Sequence, residues 1–401
     1  MTRSTRSLIS LFSGAGGLDL GLEQAKFETR VMVEIDRDAR ATVEQNRQHF
    51  GGRKFPILDD ITKVDPEAIL TAAGLERGQA ALVAGGPPCQ SFSTAGRRGS
   101  LGDPRGSLFI NFANMVEVAQ PRFFVMENVR GLLSAAIEHR PIDQRGRDHA
   151  PLRPEEEQGS ALRVILEVFA RLDYQVITPG IVNAADYGVP QTRERLLILG
   201  SRDGEFPDVQ SPREIVIPTV HSKAERKTLR DAFATMTPAA KRKPVHQSYS
   251  PPRAALYELI PPGANWRYIR DNHPELLAEA MGGALHADGG RVGFYRRLAL
   301  NEPAPTLPTS PVQKSTGLCH PKHLRPLSVQ EYAAIQQFPP DFEFAGSVAS
   351  QYRQIGNAVP VGLGKAIGDA LADTMRGRRR QNQQEHQIRL LEEAGRYKVA
   401  R

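Results

Sequence analysis

Cysteine is nearly missing from these 401 residues: Cys89 and Cys319 are the whole supply. Two cysteines so far apart cannot build a disulfide framework, and with no CxxC or clustered His/Cys spacing a zinc site is not expected either. Any special use of cysteine must then be chemical. Long apolar runs are also missing, none approaching the ~18 residues of a membrane span, so no membrane partner is expected. The opening "MTRSTRSLISLFSG" passes from a short apolar stretch straight into glycines, not into a small-residue cleavage site, which predicts a cytoplasmic protein. Acid is scarce relative to base, 45 Asp+Glu against 52 Lys+Arg, for a net charge of +7. That balance fits a polyanionic partner, whose phosphates Lys and Arg neutralise, and it fits equally a soluble basic protein without one. With 40% hydrophobic and 24% charged residues the composition is globular, and the length predicts one large unit and a smaller one.

From residue 8 to about 200, short apolar runs ("LISLF", "RVMVEID", "ALVAGG", "RFFVMEN", "YQVITPGIV", "RLLILG") alternate with amphipathic stretches. This βαβα rhythm predicts a mostly parallel sheet covered by helices, with ligands beyond the carboxyl ends of the strands. A polar segment, 138–160, reads as an exposed insertion. Residues 201–325 are rich in Pro, Arg and Lys with little periodicity, as in a second, loop-rich domain. Helical patterns return in "SVQEYAAIQQFP" and in "GNAVPVGLGKAIGDALADT", where Asn357 close to Pro360 reads as a helix start. The charged tail 376–401 is assigned no function.

Several strand ends carry residues suited to chemistry. "LFSGAGGLDLG" is a glycine-rich turn (Gly14, Gly16, Gly17) opening a helix, and the next strand ends in Glu34, placed to hold ribose hydroxyls. Alone, this pattern does not separate a dinucleotide from S-adenosylmethionine, and such glycines also serve packing. "ALVAGG" ends in Pro87, Pro88, Cys89 and Gln90, and the prolines pre-organise the backbone that carries the thiol; a buried inert cysteine is the alternative. "RFFVMENV" delivers Glu127 and Asn128, where a carboxylate is either a solvated cap or a positioned acid of raised pKa. In "QTRERLLILG", Arg193 and Arg195 alternate and can face one side, as a site or as the charged guard of an edge strand.

Together these blocks resemble the DNA (cytosine-5) methyltransferases of bacterial restriction-modification systems. "FSGAGG", "VEID", "DDI", "GGPPCQSFS", "DPRGSLF", "FFVMENVRGL", "DYGVPQTRERLLILG", "RPLSVQEYAAIQQFP" and "QIGNAVP" follow in that family's order over nearly the whole chain. The resemblance implies a Rossmann-like S-adenosylmethionine-dependent domain, α/β in class, assembled from residues 1–200 and 326–375. A smaller target-recognition domain, 201–325, is inserted between the two. It implies that Phe12, Ser13, Gly14, Gly16, Gly17, Glu34, Ile35, Asp60, Pro88, Leu108 and Asn357 form the cofactor pocket. Ile35 replaces the larger aromatic of many members, which implies weaker stacking on adenine.

In the same way Cys89 is the expected nucleophile, Glu127 the acid that engages the base, and Arg193 and Arg195 their polar support. The target cytosine must leave the duplex to reach such a site. Gln90, Ser91, Arg97 and Arg98, in a loop expected to move, and Arg296 and Arg297, in the middle region, are the expected DNA contacts. The expected partner is double-stranded DNA, bound by a monomer, and a cognate restriction or defence system is to be sought among neighbouring genes. S-adenosyl-L-homocysteine is the expected product. A transfer-RNA cytosine methyltransferase would share the PPC and ENV residues. A nicotinamide enzyme would share only the glycine turn, and a silent DNA-binding regulator would not need the chemical set.

Overall fold

The computed structural model describes residues 6–88, 108–138, 140–141, 144–145, 149–220, 222–285, 293–313 and 315–377. Nine strands concern the site: β1 (Ser7–Leu11), β2 (Glu28–Val33), β3 (Ile57–Leu58), β4 (Leu82–Gly85), β5 (Phe123–Val129), β6 (Gln175–Val176), β7 (Gly180–Asn183), β8 (Gln191–Thr192) and β9 (Glu194–Ser201). All but β8 form one sheet of order β3-β2-β1-β4-β5-β9-β6, with β7 also on β9. β1 to β5 run parallel, as the apolar runs predict. β9 is antiparallel to β5, β6 and β7, a reversal the run "RLLILG" does not announce.

Strand alternation divides the core into two layers. Leu8, Leu82, Phe123, Val125, Leu197 and Leu199 point to one face and pack with Leu22, Leu363, Ile367 and Leu371 of helices Gly17–Gln24 and Val361–Met375. Ile9, Leu11, Val83, Phe124, Met126 and Ile198 point to the other, against helices Pro66–Ala72, Leu108–Ala119 and Ser160–Ala170. The helices of the first layer come from opposite ends of the chain and meet through glycine. A methyl group on Gly21 would strike the Val361 carbonyl oxygen and the Lys365 amide nitrogen, and one on Gly364 would strike Leu18.

Residues 201–325 hold short helices, among them Leu229–Ala234, Pro251–Leu259 and Trp266–Asn272. Tyr257, Ile260, Trp266, Ile269, Met281, Tyr295 and Cys319 make a small core of their own. Phe206, Val209, Ile215 and Val216 instead join the first sheet layer. Asn357 does not start a helix: it is the last residue of Val348–Asn357, and Pro360 caps the next helix, Val361–Met375. The proline biases Val359 toward extended backbone, so the chain turns between the two helices.

Candidate active site

Between β1 and β4 the strand order reverses direction, and in open sheets of this kind that is where a ligand crevice forms. A cleft of about 690 Å³ opens there. One wall is the ends of β1, β2, β4 and β5; the other is made of residues 306–309 and 353–359. Phe12, Ser13, Gly14, Glu34, Ile35, Asp60, Pro88, Leu108, Glu127, Arg193, Arg195 and Asn357 all line it. Gly16 and Gly17 are turned to packing: a methyl group on Gly16 would meet the Phe50 ring and one on Gly17 the Val359 carbonyl oxygen.

The turn after β1 is held from β2. Glu34 Oε2 accepts the Gly14 N–H at 2.6 Å and Oε1 accepts the Asp36 N–H at 2.8 Å. Burial raises the Glu34 pKa, and those two amides and Arg40 oppose the shift. Phe12 has a left-handed backbone, φ 54°, which a bulky side chain seldom adopts and which marks a position constrained by its surroundings. Beside Glu34, Ile35 is 68% exposed. Asp60 accepts from the Thr62 amide and hydroxyl and pairs with Lys63 at 3.1 Å, and these partners hold its pKa low.

At the other end of the cleft, β5 and β9 bring Glu127 and Arg195 together, Oε1 to Nε 2.6 Å, both nearly buried. The N–H is not aimed along that line, so the contact is an ion pair without good hydrogen-bond geometry. Burial raises the Glu127 pKa against the opposing charges of Arg195 and Arg193. Arg193 is 1% exposed and donates from Nη2 to the Gly356 carbonyl at 2.8 Å, while Nε and Nη1 have no hydrogen-bond partner among the described residues. Burial first, then Arg195, lowers its pKa to about 9. Asn128 Nδ2 donates to the Pro87 carbonyl at 2.9 Å and so fixes the start of the Pro-Pro segment. Cys89, Gln90, Ser91, Arg97 and Arg98 lie outside the described residues.

Arg296 and Arg297 are half-buried and do not line this cleft; they line a second one, which shares Thr306 with the first and also includes Thr192 and Gly263. Arg297 Nη1 donates to the Ile260 carbonyl at 3.0 Å.

The family model of the C-5 cytosine-specific DNA methylases matches residues 6–373. The chain is a C-5 cytosine-specific DNA methylase. This methylase is similar to the type II methyltransferase M.Sau96I of Staphylococcus aureus, 36% identical over 369 residues that cover 91% of this chain and 75% of the relative. Another similar protein is M.PspPI of a Psychrobacter strain, 36% identical over 91% of this chain and 78% of the relative. Among solved structures, the S. pombe Dnmt2 methyltransferase shares the fold, with a TM-score of 0.58, 17% identity and coverage of 92% of this chain and 98% of that one.

The methylase transfers a methyl group to carbon 5 of cytosine in DNA, and its donor is S-adenosylmethionine. The cleft fits that donor: it offers carboxylates at Glu34 and Asp60, an exposed aliphatic surface at Ile35, and a buried acid, Asp19, whose oxygens have no hydrogen-bond partner among the described residues. Two features of the methylase were not read from sequence. Nothing in its sequence context singles out Asp19, which lies between two leucines in a helical stretch. Gln191 and Gln336, both fully buried, form a chain of amides that joins three motifs: Gln191 accepts from the Leu307 N–H and donates to Gln336, which donates to the Ile355 and Ala358 carbonyls. A glutamine in an apolar stretch ("AAIQQF") was the available signal.

Among the described residues no helix is long and apolar enough to cross a membrane.

Proposed function

We propose that this methylase modifies cytosine within a specific double-stranded DNA sequence by way of a covalent Cys89 adduct, and that the modification protects host DNA from a cognate restriction or defence system. The observation that carries the reading is the buried Glu127 carboxyl, its pKa raised, beside Arg195 and Arg193 at the mouth of a cleft that ends in Pro87-Pro88. Bound S-adenosylmethionine supplies an electrophilic methyl group. Glu34 holds the ribose hydroxyls, Asp60 and Ile35 border the adenine, and Phe12, the Ser13–Gly14 backbone and Asn357 enclose the amino-acid part. Pro88 and Leu108 complete the pocket. Gly16 and Gly17 contribute by letting the turn sit close to Phe50 and Val359.

Carbon 5 of cytosine is a poor nucleophile, so thiolate addition at carbon 6, which makes an enamine of the ring, is the step the protein must promote. Asn128 steadies the Pro-Pro backbone just before Cys89. Cations beside a cysteine favour its thiolate, whose usual pKa is about 8.5. Protonated Glu127 donates to N3 of the base as negative charge moves onto the ring, with Arg195 fixing its orientation. The enamine's carbon 5 takes the methyl group, N3 returns its proton to Glu127, and a solvent base removes the carbon 5 proton as the carbon 6–sulfur bond breaks and Cys89 leaves as a thiolate.

Residues 201–325 serve target recognition between the catalytic parts 1–200 and 326–375, with the tail 376–401 outside both. The separate core around Tyr257 and Trp266 supports that reading, and the stretch through Val216 goes with the catalytic part. Gln90, Ser91, Arg97, Arg98 and Arg296 contact DNA; Arg297 acts partly through its bond to Ile260. The protein acts as a cytoplasmic monomer.

A tritiated-methyl assay on duplex DNA and on transfer RNA tests the substrate, with label expected in DNA alone. Cys89→Ser is expected to abolish transfer while S-adenosylhomocysteine still binds. Substantial turnover by that variant would overturn the nucleophile assignment.

A further inference from the structure

Asp19 is the third residue of the helix Gly17–Gln24 and is 1% exposed. It lines the cleft alongside Ser10, Gly14 and Asn357. Neither carboxylate oxygen has a hydrogen-bond partner among the described residues. The Ser10 hydroxyl, which also lies 2.8 Å from Ser13 Oγ, and the Asp19 amide are near enough to favour the charged form of Asp19, but neither makes a well-formed hydrogen bond to it, and neither carries a charge. The charged groups acting most strongly on Asp19 are Glu23 and Glu34, both acidic.

A buried carboxylate without a partner is costly. Leucines flank this one on the helix, and an apolar residue would fill the position at less cost if packing were all it did. The missing counterpart is therefore a cation that enters the cleft. Resting on the reading of this cleft as the cofactor site, we propose that Asp19 receives the α-ammonium group of the cofactor's amino-acid part, and so makes the methylase select nucleosides that carry an amino-acid tail. An ammonium has three N–H donors to offer the two orphan oxygens; a sulfonium has none. The contact therefore serves S-adenosylmethionine and S-adenosylhomocysteine alike, and it anchors the end of the tail away from the sulfur.

Isothermal titration of the full chain with S-adenosylhomocysteine and with its deamino analogue, in which hydrogen replaces the amino group, tests this without any methyl transfer. The wild type is expected to bind the analogue about 10- to 100-fold more weakly, the range of a charged hydrogen bond in a buried site. Asp19→Asn, nearly the same shape, is expected to lose a similar factor for S-adenosylhomocysteine and to bind the two ligands alike. The ligand comparison on the wild type stands even if the variant folds poorly. Equal affinity of the wild type for both ligands, or discrimination retained in Asp19→Asn, overturns the assignment. Glu34→Ala separates the two levels: if it weakens both ligands while the wild type binds them equally, only the Asp19 assignment falls. If the wild type binds neither, the reading of the cleft falls with it.

Discussion

Glu127 and Arg195 lie diagonally across the antiparallel pair of β5 and β9, their Oε1 and Nε 2.6 Å apart. Glu127 stands opposite Leu197, so Arg195 is two residues along on the same face, within reach of a long side chain. The carboxyl is caught between burial, which favours the acid, and two guanidinium groups, which favour the anion.

This balance sets a pH dependence. Because the folded pKa of Glu127 is raised, the protonated form that donates to the base is present at low pH and is lost as pH rises through that pKa. Removing a neighbouring cation raises the pKa further. Arg195→Ala is expected to shift the descending limb of the single-turnover pH profile to higher pH while lowering the rate on the order of 100- to 1,000-fold. A limb that moves to lower pH would contradict the role given to Glu127.

Gly86 follows β4 with Glu127 against it: an added methyl would lie 2.8 Å from Glu127 Oε2. Since Arg195 holds the other oxygen, the carboxyl cannot swing away without breaking that pair. Gly86→Ala is expected to cut the transfer rate about 100-fold through roughly 1 Å of misplacement, with the melting temperature almost unchanged. Equal losses of rate and stability would point to a packing role alone.

Gly21 tests the junction of the two chain ends. Its neighbours across the helix crossing are backbone atoms of Val361, Gly364 and Lys365, which cannot rotate aside. Gly21→Ala is expected to cost about 1–3 kcal/mol or more, read as a lower urea midpoint. The smaller gain in helix propensity cannot offset it.

Asp19 carries a stability cost that depends on pH. Burial raises its pKa to about 7, so the unfolded chain ionises it from about pH 4 upward while the folded chain holds its proton. Stability is therefore lost as pH rises from about 4 to 7 and stays lost above, by on the order of 4 kcal/mol at most. Asp19→Asn without ligand is expected to be more stable than the wild type at pH 8, with the advantage shrinking toward pH 4. An amide left without partners takes back about 1–3 kcal/mol of that gain. Thermal melts at the two pH values measure it.

The parallel half of the sheet was legible because runs such as "LISLF" and "ALVAGG" are apolar over strand length and stop at turn residues, a signal carried by neighbours in the chain. The same holds for the strand-end placement of Glu34 and Glu127. Arg193 and Arg195 read as a facing pair, yet their separate tasks did not: one reaches Gly356 and the other Glu127, partners far away in sequence. Asn357 was misplaced within its motif because which helix it belongs to depends on where Val348–Asn357 packs as well as on Pro360.

By itself, then, the sequence determined the family, the run of parallel strands up to β5 and the residue types at their ends, since period and turn chemistry are local. Only the tertiary structure decided which buried charges have partners. Arg195 meets Glu127, and Asp19 meets no cation among the described residues, because the compensation of a buried charge is settled by what distant segments bring to within a few ångströms of it.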